Sequence, residues 1–283
     1  MRDFIKQYKK NKSAVVGFFI VVVLVFMAIF APWIAPHLPA DQDLAHRLTP
    51  PMWEAGGLSQ FFIGTDDFGR DLFSRIIYGA RISLMVGAIS VGLSLSFGLT
   101  MGMLAAYFGG KVDLFIMRIV DIMLSIPAIL LAIVVVSILG PSLTNAMIAI
   151  GIVGIPTYAR VVRASVLAER EKEYVIASRI NGSSNMRLMF KVILPNAATP
   201  IIVQSTMGFA SAVLEAAGLS FLGLGAQPPT PEWGAMLSDS LQFIMTAPWM
   251  IFYPGLAIFL TVLGFNLMGD GLMDVLDPKL KDK

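Results

Sequence analysis

The sequence predicts an all-α membrane protein of six transmembrane helices, and three observations carry that prediction. The 283 residues are 56% hydrophobic and only 14% charged, with a mean hydropathy of +0.75. Soluble domains carry about 25% charged residues, so a chain this apolar takes lipid as its solvent. Charged residues are absent from stretches 13–36, 82–110, 122–159, 197–214 and 241–269. An uncharged apolar run of about 20 residues is what a helix needs to cross a roughly 30 Å hydrocarbon core. The 21 lysines and arginines, finally, are strongly biased to one side of the resulting helices.

The first span is 13–35, preceded by a basic tail over 1–12. Its apolar stretch exceeds the 7–15 residues of a signal-peptide core, and it ends on Trp33 at interfacial depth, so it reads as retained. An extracytoplasmic loop over 36–81 follows, rich in proline and acid before Gly64-Thr65-Asp66-Asp67, where an aspartate is placed to cap a helix. Phe68, Leu72, Ile76, Phe73, Ile77 and Ala80 then share a face, with Arg70, Asp71, Ser74 and Arg75 opposite. That spacing predicts a short interfacial helix leading into the second span. A five-helix core over 82–271 contains spans 82–106, 116–139, 143–162, 197–221 and 249–270, with Gly140-Pro141-Ser142 breaking the long uncharged run in two. A tail over 272–283 completes the chain.

With the N-terminus in the cytoplasm, 17 of the 21 basic residues fall inside, and only Arg47, Arg70, Arg75 and Arg81 fall outside. The positive-inside bias therefore predicts that both termini are cytoplasmic. It also places segment 164–195 there, the longest inner loop. This segment reads as a helix, a stop at Gly182, a second helix capped by Ser183 or Ser184, and a stop at Pro195. A helical hairpin projecting from a membrane suits docking to a partner protein and transmitting its motion.

The segment resembles the coupling loop of bacterial ABC importer permeases, whose pattern is Glu-Ala-Ala, three residues, Gly, nine residues, Ile, any residue, Leu-Pro. The corresponding positions are Ile176, Ala177, Ser178, Gly182, Val192, Leu194 and Pro195. The spacing is kept, while Ile176 replaces the acid, Ser178 an alanine and Val192 an isoleucine; Glu173, one turn earlier, is the nearby acid. The stretch from Ile63 to Leu84, with its Gly-Thr-Asp-Asp-Phe-Gly-Arg core, resembles dipeptide, oligopeptide and nickel permeases of the C type. So do Leu219-Ser-Phe-Leu-Gly-Leu-Gly225, Pro231-Glu-Trp-Gly234, Gly269-Asp-Gly-Leu272 and Leu276-Asp-Pro278. The resemblance covers essentially the whole chain.

It implies the type I importer permease architecture, a multi-pass position in the bacterial inner membrane, and four kinds of association. These are a second, B-type permease forming a heterodimer, two cytoplasmic ABC ATPase subunits, an extracytoplasmic substrate-binding protein, and membrane lipid. ATP and magnesium belong, on this resemblance, to the ATPase subunits, and this chain binds no cofactor. The sequence agrees with that division, since no Gly-x-x-x-x-Gly-Lys-[Ser/Thr] phosphate loop occurs in it. Cysteine is absent, and the two histidines, His37 and His46, form no ligand cluster or catalytic set. A net charge of +2 without a basic, aromatic-interleaved cluster gives no footprint for nucleic acid.

Within the fifth span Gln204, Gly208, Ser211 and Glu215 fall on one helical face. That stripe either lines the translocation path or packs against the partner permease. Arg118, Asp121 and Ser125 share a face of the third span, predicting a local ion pair or snorkelling. Ser94, Gly98 and Gly102 form a small-residue ridge predicted to pack. Peptides are the expected cargo, because no histidine or cysteine path is offered to a soft metal. Nickel or another small solute is the alternative cargo. An ion-coupled secondary transporter is the alternative class, although it would ordinarily show internal repeats and mid-membrane ionisable residues.

Overall fold

The computed structural model describes Tyr8 and residues 11–276. The terminal basic residues Arg2, Lys6, Lys9, Lys10, Lys279, Lys281 and Lys283, and the Asp277-Pro278 pair, lie outside the described residues. Five helices are long and apolar enough to cross a membrane, and a bent pair makes six if it is one span.

Helix α1 (Lys12–Ile34) is capped by Asn11, whose Oδ1 accepts from the Ala14 amide at 3.1 Å. It buries Ala14, Gly17, Val21, Leu24, Ala28 and Ala31, a stripe spaced three and four apart, and leaves Phe18, Phe19, Phe26 and Ile29 on the lipid side. The stripe is small because apolar side chains gain little by leaving lipid for protein, so close backbone approach is what joins helices. A Cβ on Gly17 would stand 2.8 Å from the Gly264 carbonyl oxygen of the last helix.

Helix α2 (Leu72–Phe108) runs 37 residues, about 55 Å at the usual rise. The expected interfacial helix and second span are thus one continuous element. Its cap is Asp71 and not Asp66 or Asp67: Asp71 Oδ2 accepts from the Ser74 amide at 3.0 Å and its hydroxyl at 2.6 Å. The polar face expected to meet water is buried, with Arg70, Asp71, Ser74 and Arg75 each at most 4% exposed. Hydropathy cannot anticipate this, because the charges neutralise one another. Asp66 Oδ2 stands 2.6 Å from Arg70 Nε and 3.4 Å from Arg75 Nε, and Arg75 also donates to the Pro39 carbonyl at 3.0 Å.

Gly109 and Gly110, both at positive φ, turn the chain into α3 (Gly110–Leu124). Helix α4 (Ala128–Leu139) follows at a bend of 92°. A straight span over 116–139 is therefore not formed. Pro127 has no amide to donate back to Met123, and the residue before a proline is pushed out of the helical region. The Gly140-Pro141-Ser142 turn is closed by Asn145 Nδ2, which donates to the Leu139 and Gly140 carbonyls at 2.9 Å each. Ser142 then caps α5 (Leu143–Arg170), which outruns its predicted end by two turns.

Helix α6 (Glu173–Ile180) and a composite α7 follow. The latter consists of Asn185–Arg187, a π-helical stretch Leu188–Ile193 and Leu194–Asn196. Helix α8 (Ala198–Phe221) returns through the bundle. A helix not anticipated from sequence, α9 (Trp233–Ser240), lies at the opposite end from α6 and α7. Glu232 caps it, accepting from the Ala235 amide at 2.9 Å, and Trp233 Nε1 donates to the Ile76 carbonyl at 3.1 Å beside Gly79. Helix α10 (Trp249–Leu276) ends the described chain, and Trp249 Nε1 ties it to the Thr65 carbonyl at 3.1 Å. One core cluster gathers around Trp233, Trp249 and Met250, a second between α2, α4, α5 and α8, and a third beneath α6 and α7.

The charge cluster at the α9 end separates two neighbouring aspartates. Removing the Asp66 charge leaves two buried guanidinium groups short of their counter-ion, which costs about 3–5 kcal/mol. Burial, and then the Asp66 charge, push the Asp67 carboxyl up from its ordinary value. A raised folded-state pKa makes the ionised form a cost, which lessens as pH falls towards that pKa. Asp66→Asn is therefore expected to lower the melting temperature of the purified protein at neutral pH, and Asp67→Asn to leave it unchanged or raise it.

Candidate functional site

Two places carry functional geometry, the hairpin of α6 and α7 at one end of the bundle and a cleft between α8 and its neighbours. The hairpin is built by its turn. Gly182 has φ +79°, the left-handed conformation that glycine adopts without a Cβ penalty. Its amide donates to the Arg179 carbonyl at 3.0 Å, and the Ser183 amide donates to the Ser178 carbonyl at 3.2 Å. That pair of bonds is the Schellman arrangement. Ser178 and Ser183 place their hydroxyl oxygens 3.0 Å apart across the turn, and Ser184 accepts from the Arg187 amide at 3.4 Å.

The first helix of the hairpin does not run unbroken from 164. It divides between Arg170 and Glu173, and the break is bridged by side chains: Glu169 binds Lys172 Nζ and the Tyr174 hydroxyl, both at 2.6 Å. Burial and the neighbouring Glu169 carboxylate push the Tyr174 phenol up to about 12. Pro195 does not end the second helix either. The widened π-helical turn, with the Leu194 amide donating to the Met189 carbonyl, brings Pro195 to the start of Leu194–Asn196, where no amide is required of it.

The eight predicted hairpin residues separate into two groups. Val192 and Leu194 pack inward, half-buried, on a core of Val175, Leu188, Met189 and Ile193 with α2 and α5. Ser178 and Gly182 form the turn. Glu173, Ile176 and Ala177 are exposed on α6, and Pro195 is exposed at the foot of α7. The inward anchors Val175, Leu188, Met189 and Ile193 went unremarked in the sequence, and so did Ile180 and Met186, which join the expected Ile176 in presenting apolar side chains outward. Ile180 is 80% exposed, Met186 64% and Ile176 42%. The signal for both was the same, apolar residues recurring within a charged loop. Tyr107 also ties α2 to α7, donating to Asn185 Oδ1 at 2.7 Å.

The cleft has a volume of about 330 Å³. The face of α8 bearing Gln204, Gly208, Ser211 and Glu215 forms one wall, so the structure brings all four together. Ser90 and Ser94 of α2 and Thr157 and Tyr158 of α5 form two more. Met123, Pro127 and Leu131, around the 92° bend, close it with an apolar side. Gly208 is where Tyr158 crosses α8; the Tyr158 hydroxyl occupies the space a Cβ would take and donates to the Gln204 carbonyl at 3.4 Å. Ser90 and Ser94 donate to the Met147 and Gly151 carbonyls at 3.0 and 2.7 Å, so their hydroxyls hold α2 to α5. The predicted Ser94, Gly98 and Gly102 ridge packs on α5, where a Cβ on Gly102 would stand 2.8 Å from Val162 Cβ. Asp121 pairs with Arg160 of α5 at 2.7 Å and not with Arg118. Asp113 binds Arg163 through two bonds of 2.6 Å, which fastens α3 to α5 a second time.

A helical bundle with a cleft of mixed polarity and a projecting hairpin has the form of the membrane subunit of a transport assembly. The chain belongs to the family of binding-protein-dependent transport system inner membrane components, which matches residues 98–282, and is an ABC transporter permease. Residues 1–51 match the N-terminal TM domain of oligopeptide transport permease C. It is 56% identical over 281 residues to the dipeptide transport system permease protein DppC of Escherichia coli, covering 99% of this chain and 94% of that protein. The DppC of Alkalihalophilus pseudofirmus is 53% identical over 99% of this chain and 90% of its own length. The di/tripeptide transport system permease protein DppC of Pseudomonas aeruginosa is 50% identical over 100% of this chain and 93% of its own length. The fold is shared with the MetNI methionine ABC transporter at a TM-score of 0.59 and 21% identity, over 72% of this chain and 97% of that one. An amino acid ABC transporter gives 0.57 and 16%, over 72% and 95%.

Because the chain lacks cysteine, single thiols report the cleft directly. Ser211→Cys is expected to react with a membrane-impermeant maleimide in assembled, detergent-solubilised transporter. Ile202→Cys, on the opposite face of α8 and 49% exposed away from the cleft, is expected to stay unlabelled. Labelling is read as a mass shift.

Proposed function

We propose that this chain is the C-type permease of a bacterial inner-membrane importer of di- and short oligopeptides, supplying half of the translocation path. The observation that carries the reading is identity of 50–56% to dipeptide and di/tripeptide permeases over practically the whole chain. Identity is lower to permeases for other peptides, 44% for a probable D,D-dipeptide system and 42% for a glutathione system. The other half of the path comes from a B-type permease, the energy from two ATPase subunits that bind ATP and magnesium, and the cargo from an extracytoplasmic binding protein.

The lysine and arginine bias supports a cytoplasmic position for the hairpin and for both termini. Exposed Ile176, Ile180, Met186 and Phe190 give it an apolar docking surface for the ATPases, flanked by Glu173. Closure of the ATPases on ATP would then move the hairpin. Since its roots are α5 on one side and α8 on the other, and its inner face is packed on α2 and α5, a push moves helices and is not absorbed by the loop. Helices α5 and α8 are two walls of the cleft, so this motion opens and closes it to alternate sides. In this reading the Gln204, Gly208, Ser211 and Glu215 stripe lines the path. Segments 36–81 and 222–248 face the binding protein.

The test is ATP-dependent uptake of a radiolabelled dipeptide into proteoliposomes holding both permeases, the ATPases and the binding protein. Absence of peptide uptake by a complex with ligand-stimulated ATPase activity would sink the reading. Within that assay Gly182→Val forces a β-branched residue into the left-handed region, a local cost of about 1–2 kcal/mol. ATPase activity is expected to persist while uptake falls about tenfold or more; normal uptake would remove the hairpin from the coupling role.

A further inference from the structure

We infer that Glu215 is the site in the cleft that receives the free α-ammonium group of the transported peptide, an inference that rests on the peptide-import reading. Glu215 is the one carboxylate lining the cleft, and no lysine, arginine or histidine lines it among the described residues. Its side chain makes no hydrogen bond or ion pair among those residues. Two acids of α3 are matched, Asp113 by Arg163 and Asp121 by Arg160, at 2.6 and 2.7 Å. A half-buried carboxylate in an apolar-walled cleft is costly without a cation, so an unmatched one marks the place where a cation arrives.

The position also suits delivery. Glu215 lies six residues before Phe221, the last residue of α8, about 9 Å inside the end of the helix nearest α9. A peptide α-amino group has a pKa of about 7.7–8.0, so it enters largely as an ammonium at neutral pH. The rest of the stripe is spaced for a short peptide. Along α8, Ser211 lies about 6 Å and Gly208 about 10 Å from Glu215. An extended dipeptide spans about 7 Å and a tripeptide about 10 Å. With its ammonium on Glu215, a dipeptide ends level with Ser211, and a tripeptide level with Gly208 and the Tyr158 hydroxyl. Peptide side chains then meet Met123, Ile126 and Leu131, which offer contact without selecting a particular residue. The cleft would thus recognise what all these peptides share.

The probe is a dipeptide with a free amine, set against its N-acetyl form, in assembled transporter carrying Ser211→Cys. Maleimide labelling is expected to slow at least threefold with the free-amine dipeptide and not with the acetylated one. Adding Glu215→Gln is expected to abolish that difference. In proteoliposomes Glu215→Gln alone is expected to reduce dipeptide uptake at least tenfold, and Glu215→Asp to retain uptake within threefold of wild type. Equal protection by both peptides, or wild-type uptake by Glu215→Gln, would overturn the assignment. Failure of Glu215→Gln to assemble with the second permease would overturn it too, making the carboxylate a subunit-pairing charge. If the unsubstituted transporter takes up no peptide, the import reading fails; if it does and Glu215→Gln matches it, only this inference fails.

Discussion

The seam between α2 and α5 is the contact on which the rest of the bundle depends. Lipid tails are as apolar as leucine, so these helices cannot be held by exclusion of water and must be held by close approach. Gly98 and Gly102 let the α5 backbone lie where a side chain would otherwise stand, and Ser90 and Ser94 donate across the seam to the Met147 and Gly151 carbonyls. One side of this seam forms two walls of the cleft. Its far end carries Met103, Ala106, Val162 and Val166, which are the floor beneath the hairpin. A bulky side chain in the seam would therefore disturb the cleft wall and the floor beneath the hairpin together.

Rigidity and motion are divided along the same lines. The hairpin is stiffened by its Schellman turn and pinned inward by Val175, Leu188 and Ile193. The bend at Ser125-Ile126-Pro127 is held from α5 by ion pairs on its α3 arm only, while α4 packs on α5 with Ala132 and Val136. On the proposed coupling role, a force entering at the hairpin would meet a stiff lever first and a broken helix last. The wall made by α3 and α4 is the part of the cleft with least backbone continuity.

The parts of this arrangement that were legible in the sequence are those fixed by composition or by local backbone need. Uncharged runs located the membrane helices, Gly182 located a turn whose φ of +79° suits glycine, and four-three-four spacing put Gln204, Gly208, Ser211 and Glu215 on one face. What was not legible depended on partners distant in the chain. Arg70 and Arg75 read as surface charges because, although Asp66 is near in sequence, nothing local shows that the distant Pro39 and Pro229 carbonyls help to enclose Arg75. Helix α9 is short and flanked by prolines, and it is stable because Trp233 reaches Ile76 and Gly79. Pro127 was visible as a residue, but hydropathy averages over a bend and reports only that the run is apolar. The Arg160 partner of Asp121 was missed for a similar reason, since helical spacing proposes a neighbour on the same helix and the structure supplies one from another.

A transport path differs from an enzyme site in what its interactions must achieve. Binding has to be favourable enough for entry and weak enough for departure. A cleft built with paired charges or a dense set of donors would hold a peptide too firmly, and a wholly apolar one would refuse its termini. The cleft here has one unmatched carboxylate, and the hydroxyls of Ser90 and Ser94 are engaged in holding helices and are not offered to cargo. That leaves a single strong point near one end of α8 and weak contacts beyond it. On the proposed reading, a gradient of this kind would admit a cationic terminus and then let it go once α5 and α8 moved, because the carboxylate and the rest of the stripe share one helix while Tyr158 belongs to the other. The selectivity such a wall supplies is for a free amine on a short chain, and finer discrimination among peptides has to come from a different protein.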